Sequence, residues 1–252
     1  MKRSALKEFA KKVLPAPFRR WMRQTHVRVT ERPPYKMVRF GSLRRVTPIH
    51  SGFSIWRGEY VDRYYIERFL EGNASFIKGH VLELAGNEYT RRFGRDRVTQ
   101  SDVLDVRLGH PMATIIADLT VGDDIPSDAF DCIILTQVLN FIYDVKAAIR
   151  TIHRILKPGG CVLVSVAGLS QIVQDEMEYC GDYWRFTSLS LRMLFEEAFP
   201  GENVTVEAHG NVLAGIAFLH GLAVEELRKD ELDYRDPNFE VSVLLKAVKP
   251  LR

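Results

Sequence analysis

The chain of 252 residues carries 35 Lys+Arg against 32 Asp+Glu, a formal charge of +3, with 46% hydrophobic and 27% charged residues. These totals are ordinary for a soluble globular protein of one large or two small domains. No run approaches the roughly 20 apolar residues that cross a bilayer, and the charged N-terminus does not read as a cleavable signal. Three cysteines, Cys132, Cys161 and Cys180, cannot all pair. They read as small buried hydrophobes in a reducing compartment, so the expected location is cytoplasmic.

The near-neutral total conceals an asymmetry. Residues 1–45 hold 14 Lys+Arg and two acids, Glu8 and Glu31, a charge of +12, which leaves −9 on residues 46–252. A basic arm on an acidic body is expected to meet an anionic surface. In the arm Leu6, Phe9, Val13, Phe18, Trp21 and Met22 alternate with bases on either side of Pro15 and Pro17. This composition fits a segment lying on the inner face of a membrane, or one that docks on a partner protein or on the domain itself. Nothing in it calls for nucleic acid.

Next, Asp62 is placed to cap a lead-in helix over 62–71, which Gly72 and Asn73 end. The preceding Trp56, Arg57 and Gly58 form a loop whose composition suits a ligand cover. His80–Ala85 reads as a first strand, Arg97–Gln100 as a second ending at Ser101 and Asp102, and Ala113–Ala117 as a third ending at Asp118. Each delivers an acid near its carboxyl end: Glu83, Asp102 and Asp118. In an open parallel sheet ligands bind outside those ends, and a carboxylate after the second strand is suited to both hydroxyls of a ribose.

Phe130–Val166 is the most informative stretch. Ile133, Ile134 and Leu135 form a strand covered on both faces. Asp144 caps a helix whose Val145, Ala148, Ile149, Ile152 and Ile155 share one side. Lys157-Pro158-Gly159-Gly160 reverses the chain into a second buried strand, Cys161–Val166. Strand, helix and strand in this order make a right-handed parallel crossover. Beyond it, Ser188 caps a helix, Asn203–Glu207 is a sixth strand, Asn211–Leu227 a helix apolar nearly all round, and Phe239–Lys249 the last strand. His153 is expected in solvent and His220 in a core helix. No Cys/His spacing supports a metal site.

VLELAGNEYT, SDVL, IIADLT, FDCIILTQVLNFIYD and RILKPGGCVLVSV resemble the successive motifs of class I S-adenosylmethionine-dependent methyltransferases over about residues 75–170. RGEYVDRYYIERFL, GDYWRFTSLSLRMLFEEAF, GNVLAGIAFLHGLAVEEL and FEVSVLLKAVKP resemble one bacterial subgroup often found beside carbohydrate glycosyltransferases. The resemblance implies an α/β fold: a Rossmann-like, seven-stranded, mostly parallel sheet with an antiparallel last strand and helices on both faces. It divides the body, 46–252, into a cofactor half (78–170) and an acceptor half (171–252). It carries Glu83 to the methionine ammonium of S-adenosylmethionine, and Asp102, with Val103 beside it, to the ribose. Asp118 and the Leu119 backbone go to the adenine, and Thr136 and Gln137 to the methionine part and the methyl. Ala85, Gly86, Asn87 and Tyr89 occupy the family's glycine-rich turn, with only Gly86 a glycine.

The cluster from Tyr179 to Thr187 falls where this family's acceptor loop lies. Tyr179, Tyr183, Trp184 and Arg185, with Arg57, are the expected acceptor contacts, suited to a polyol or anionic sugar. Asp182 is the expected catalytic base and Asp144 the second choice. The expected activity is methyl transfer, to oxygen, on a small molecule or glycan. The rival is a non-catalytic relative that docks on a glycosyltransferase or membrane complex, motivated by Ala85, Asn87 and Tyr89. A nicotinamide oxidoreductase is disfavoured by the lack of a GxGxxG turn.

Overall fold

The computed structural model describes residues 15–18, 20, 21, 25, 33, 35–51, 57–177 and 180–251. The arm's Leu6, Phe9, Val13 and Met22, together with Trp56 and Tyr179, lie outside the described residues. The chain forms two compact units, Met1–Val46 and Thr47–Arg252. In the first, Phe18 and Trp21 stack with ring centroids 5.5 Å apart and Gly41–Leu43 makes one 3₁₀ turn. No helix among the described residues is long and apolar enough to cross a membrane.

The second unit is built on seven strands in the order β3-β2-β1-β4-β5-β7-β6. They are β1 Gly79–Leu84, β2 Val98–Asp105, β3 Ile115–Ile116, β4 Phe130–Thr136, β5 Leu156–Ala167, β6 Val204–His209 and β7 Ser242–Val248. β7 is antiparallel to both β5 and β6, while the pairs from β3 to β5 are parallel. The Rossmann-like sheet with an antiparallel last strand is therefore as expected.

β4 shows why a continuous apolar run marked a central strand. Ile133 and Leu135 pack with Val145, Ala148, Ile149 and Ile152 of the crossover helix Val145–Ile155. Cys132 and Ile134 pack on the opposite face with Tyr65, Ile66 and Phe69 of the lead-in helix Val61–Gly72. Alternate side chains enter different cores, so none needs to be polar. Asp144 caps the crossover helix as expected, accepting from Ala147 N at 2.9 Å.

Several local expectations are corrected. Asp62 is no cap: it is buried inside the first turn, and Tyr60 holds the N-cap place without a side-chain capping bond. Thr187, not Ser188, caps the Ser188–Glu196 helix, through a reciprocal pair with Ser190. The apolar helix after β6 is only Val212–Leu219, because His220 and Gly221 (φ +65°) end it. Ala214 and Ala217 face the core, whereas Val212 and Leu213 are exposed. His153 is half-buried, edge-on to Phe199 at 4.8 Å, rather than in solvent. Lys157-Pro158-Gly159-Gly160 joins β5, as a bulge between Phe130 and Cys132 lets the two strands pair around it.

Candidate active site

A cleft of about 860 Å³ opens at the carboxyl ends of β1, β2 and β4, where the order of strands reverses, and is lined by residues from all three. The volume lies within the range of small-molecule sites.

Glu83, next to last in β1, is buried and lines this cleft. Its two oxygens accept from Thr90 N at 2.7 Å and Tyr89 N at 3.3 Å, so it also satisfies the start of the Thr90–Gly94 helical turn. Burial pushes its pKa up to about 6, and the bonds from Thr90 and Tyr89 only partly oppose this.

The turn after β1 keeps the backbone of a glycine turn with one glycine. Ala85 takes φ +63°, a left-handed conformation that a β-carbon disfavours. Gly86 lines the cleft, whereas Asn87 does not. Tyr89 leaves the cleft open. Its ring stacks on Phe93 at 6.1 Å, and its hydroxyl accepts from Arg63 Nη1 at 2.5 Å. Arg63, on the lead-in helix, also lines the cleft. No local pattern in the sequence marked it, since a lone arginine on a helix reads as a solvated face.

The acid of the second strand is not where the sequence placed it. Asp102 sits in mid-strand, outside the cleft lining, opposite Leu82. Its carboxylate is bonded to His80 Nε2 at 2.5 Å, Thr114 Oγ1 at 2.7 Å and Gln100 Nε2 at 3.1 Å. Val103 is likewise buried outside the cleft, its N–H donating to Thr114 Oγ1 at 2.9 Å. β2 runs three residues further, and Asp105 and Val106 line the cleft instead. The apolar pair Val103–Leu104 was the missed signal, because buried side chains carry a strand onward into the core. Burial raises the proton affinity of Asp105. The bonds from Arg107, at 2.7 Å from N, 3.1 Å from Nε and 3.0 Å from Nη2, outweigh it and hold the carboxyl below its ordinary range.

Asp118, Leu119 and Thr120 line the adjoining wall. Asp118 Oδ1 accepts from Thr120 N at 2.7 Å and Thr120 Oγ1 at 2.8 Å, which fixes the loop after β3. Thr136 and Gln137 line the opposite side after β4. Gln137 takes φ +56° and donates from its backbone to Ser165 O at 2.9 Å. Strained residues of this kind gather at functional sites, and here Ala85 and Gln137 face one cleft.

On the acceptor side several expectations fail. Asp182 is almost wholly buried and paired with Arg185, at 2.6 and 2.9 Å, and accepts from Val173 N at 3.0 Å. The Arg185 bonds hold its pKa low, which is wrong for a base. Neither residue lines the cleft. Arg185 spends its other bonds on Ser170 O, Gln171 O and Trp184 O, tying the loop to itself. Arg57 pairs with Glu226 at 2.5 Å, away from the cleft. Trp184 donates to Ile142 O at 3.1 Å and is not in the lining. Tyr183 does line it, together with Tyr143, Cys180 and Asp144. The Tyr143 ring meets Tyr183 edge-on at 5.3 Å and Trp184 nearly parallel at 6.0 Å, so the mouth is aromatic. No group of acids, cysteines and histidines suited to a metal ion occurs among the described residues.

Residues 59–199 match the model of a family described as methyltransferase domain. A demethylmenaquinone methyltransferase of Listeria monocytogenes is 31% identical over 108 residues, 40% of this chain and 43% of the relative. A ubiquinone/menaquinone biosynthesis C-methyltransferase of Pasteurella multocida is 27% identical over 142 residues, 49% of this chain and 52% of the relative. The chain thus spans about half the length of the curated relatives it matches. An S-adenosylmethionine-dependent methyltransferase of Archaeoglobus fulgidus shares the fold at 10% identity and a TM-score of 0.50, over 77% of this chain and 96% of that one. Phosphoethanolamine N-methyltransferase 2 of Haemonchus contortus does so at 16% identity and a TM-score of 0.51, over 84% and 55%.

Proposed function

We infer the reaction from one premise: the chain belongs to the class I S-adenosylmethionine-dependent methyltransferases. The donor set of the cleft suits that cofactor, with Glu83 and Asp105 at adjacent strand ends and Asp118 with Leu119 on the next wall. Glu83 would face the methionine ammonium and Asp105 the ribose hydroxyls, while the Leu119 backbone would meet the adenine. When bound, the cofactor supplies an electrophilic methyl on a sulfonium, open to in-line displacement.

The chain's own contribution is alignment and exclusion of water. Orientation of two reactants is worth up to about 7–11 kcal/mol of a barrier. Thr136 and Gln137, held rigid by the Gln137–Ser165 bonds, would set the floor on which the methyl and acceptor meet.

For the acceptor, expected from the sequence to be a small molecule or a glycan, we propose a small molecule with a planar hydroxylated ring. The polar groups that suited a sugar, Arg185 and Asp182, are satisfied by one another and lie outside the cleft. Tyr143 and Tyr183 line the cleft with their rings edge-on to one another, and such aromatic walls suit an aromatic acceptor. The menaquinone chemistry named for both curated relatives points the same way. A panel of hydroquinones, catechols and nucleotide sugars, assayed for S-adenosylhomocysteine release, tests this. Turnover on sugars alone overturns it, and mass spectrometry of the product reads whether oxygen or carbon is methylated.

The observation that carries the reading is the pair of buried acids at the ends of β1 and β2. In calorimetric titration with S-adenosylhomocysteine, Asp105→Ala is expected to weaken binding about tenfold or more, the scale of a lost charged hydrogen-bond pair. Asp102→Ala is expected to keep affinity close to that of the native chain. The reverse order overturns the assignment.

A further inference from the structure

We propose that Arg63 is the cofactor's carboxylate clamp, oriented by the Tyr89 hydroxyl, so that Glu83 and Arg63 together read the amino-acid zwitterion. The proposal rests on the cofactor assignment above and adds a residue and a specificity to it.

Arg63 lies in the first turn of the lead-in helix and lines the same cleft as Glu83 and Tyr89. Its hydrogen-bond partner among the described residues is neutral: Nη1 donates to the Tyr89 hydroxyl at 2.5 Å, with the guanidinium 5.8 Å from the centre of the Tyr89 ring. Asp62 and Glu67 act on it through space, but neither forms an ion pair with it among the described residues. A guanidinium that lines a cleft presents up to five donors in a planar fork matched to a carboxylate. One phenol oxygen leaves most of them unused.

The juxtaposition gives those donors a use. Tyr89 joins the two ends of the site: its backbone N–H donates to Glu83 at 3.3 Å and its hydroxyl accepts from Arg63. An anion and a cation therefore flank one tyrosine at one end of the cleft. An α-amino acid presents the complementary pair, an ammonium and a carboxylate, on a single carbon. Tyr89 replaces a glycine expected in this turn, and its ring, set against Phe93, fixes the hydroxyl that aims Arg63. The departure from the glycine pattern is thus a positioning device rather than a loss of the site.

Calorimetric titration of the full chain with S-adenosylmethionine and with its decarboxylated analogue separates this role from a structural one. The native chain is expected to prefer S-adenosylmethionine by about tenfold or more, as for a lost charge-assisted bond. Arg63→Gln is expected to remove that preference while binding the decarboxylated analogue as the native chain does. Arg63→Lys is expected to retain part of it, and Tyr89→Phe to weaken S-adenosylmethionine several-fold and spare the analogue. Equal loss for both ligands in Arg63→Gln, or no loss for either, overturns the clamp. Failure of the native chain to bind any of these nucleosides, or S-adenosylhomocysteine, overturns the cofactor assignment itself, a separate result. Unfolding curves of each variant in urea show that the comparison is made on folded protein.

Discussion

Glu83 owes its proton affinity to burial more than to its neighbours, and this has a measurable sign. Its folded pKa, about 6, lies above the ordinary 4.5. Below pH 4.5 the carboxyl is neutral in both states and costs nothing. As pH rises through about 6 the unfolded chain has already ionised, so the stability held at acid pH is lost, by about 2 kcal/mol for a difference of this size. Glu83→Gln removes that dependence. In urea titrations of the cofactor-free chain, the variant should gain about 2 kcal/mol on the native protein between pH 4.5 and 7.5, less the weakened bonds to Thr90 and Tyr89. A constant difference across that range would show that Glu83 ionises freely. Ligand binding works the other way, because an ammonium beside the carboxylate favours ionisation and releases a proton between pH 5 and 6.

The turn and the strand beside it act as elements. Ala85 holds φ +63° at the place where the chain leaves β1, and its amide donates to Leu104 O at 3.0 Å. Ala85→Gly should relieve the left-handed strain of about 1–2 kcal/mol, offset in part by the unfolded-state freedom of glycine. The expected net gain of about 0.5–1 kcal/mol is read from the urea midpoint, and a loss would mean that the β-carbon is needed for packing. β2 teaches the complementary point. Its first half is polar after Val98 and partly exposed and its second half is buried, so the sequence reading ended the strand at Asp102, while pairing of Leu104 with Leu84 and of Asp105 with Ile116 carried it on to Asp105. Register with a neighbouring strand decided the end of this one, and with it which acid reaches the cleft.

At the scale of the molecule, the +12 arm and the −9 body are separate compact units divided after Val46. We propose that the arm binds anionic lipid, on the strength of its charge and of exposed Phe18 and Trp21. Deleting residues 1–45 should abolish pelleting with phosphatidylglycerol vesicles and leave the unfolding of the rest within about 0.5 kcal/mol, as for changes outside a core. Pelleting that survives the deletion would assign lipid contact to the body, and no pelleting of the full chain would end the proposal.

The crossover Phe130–Val166, the Asp144 cap and the strand-end place of Glu83 were legible in the sequence, because each rests on periodicity or on residue types a few positions apart; the seven-stranded fold and the cofactor class were legible through the resemblance to known methyltransferases. Asp105, Arg63 and the fate of Asp182 were not. Each depends on what stands opposite in space: the β3 pairing at Ile116 for Asp105, the Tyr89 hydroxyl for Arg63, and the Arg185 fork for Asp182. Patterns of apolar burial are local and set which elements form. Whether a charged group is free to meet a ligand is settled by partners brought from distant parts of the chain, and only the folded arrangement supplies those.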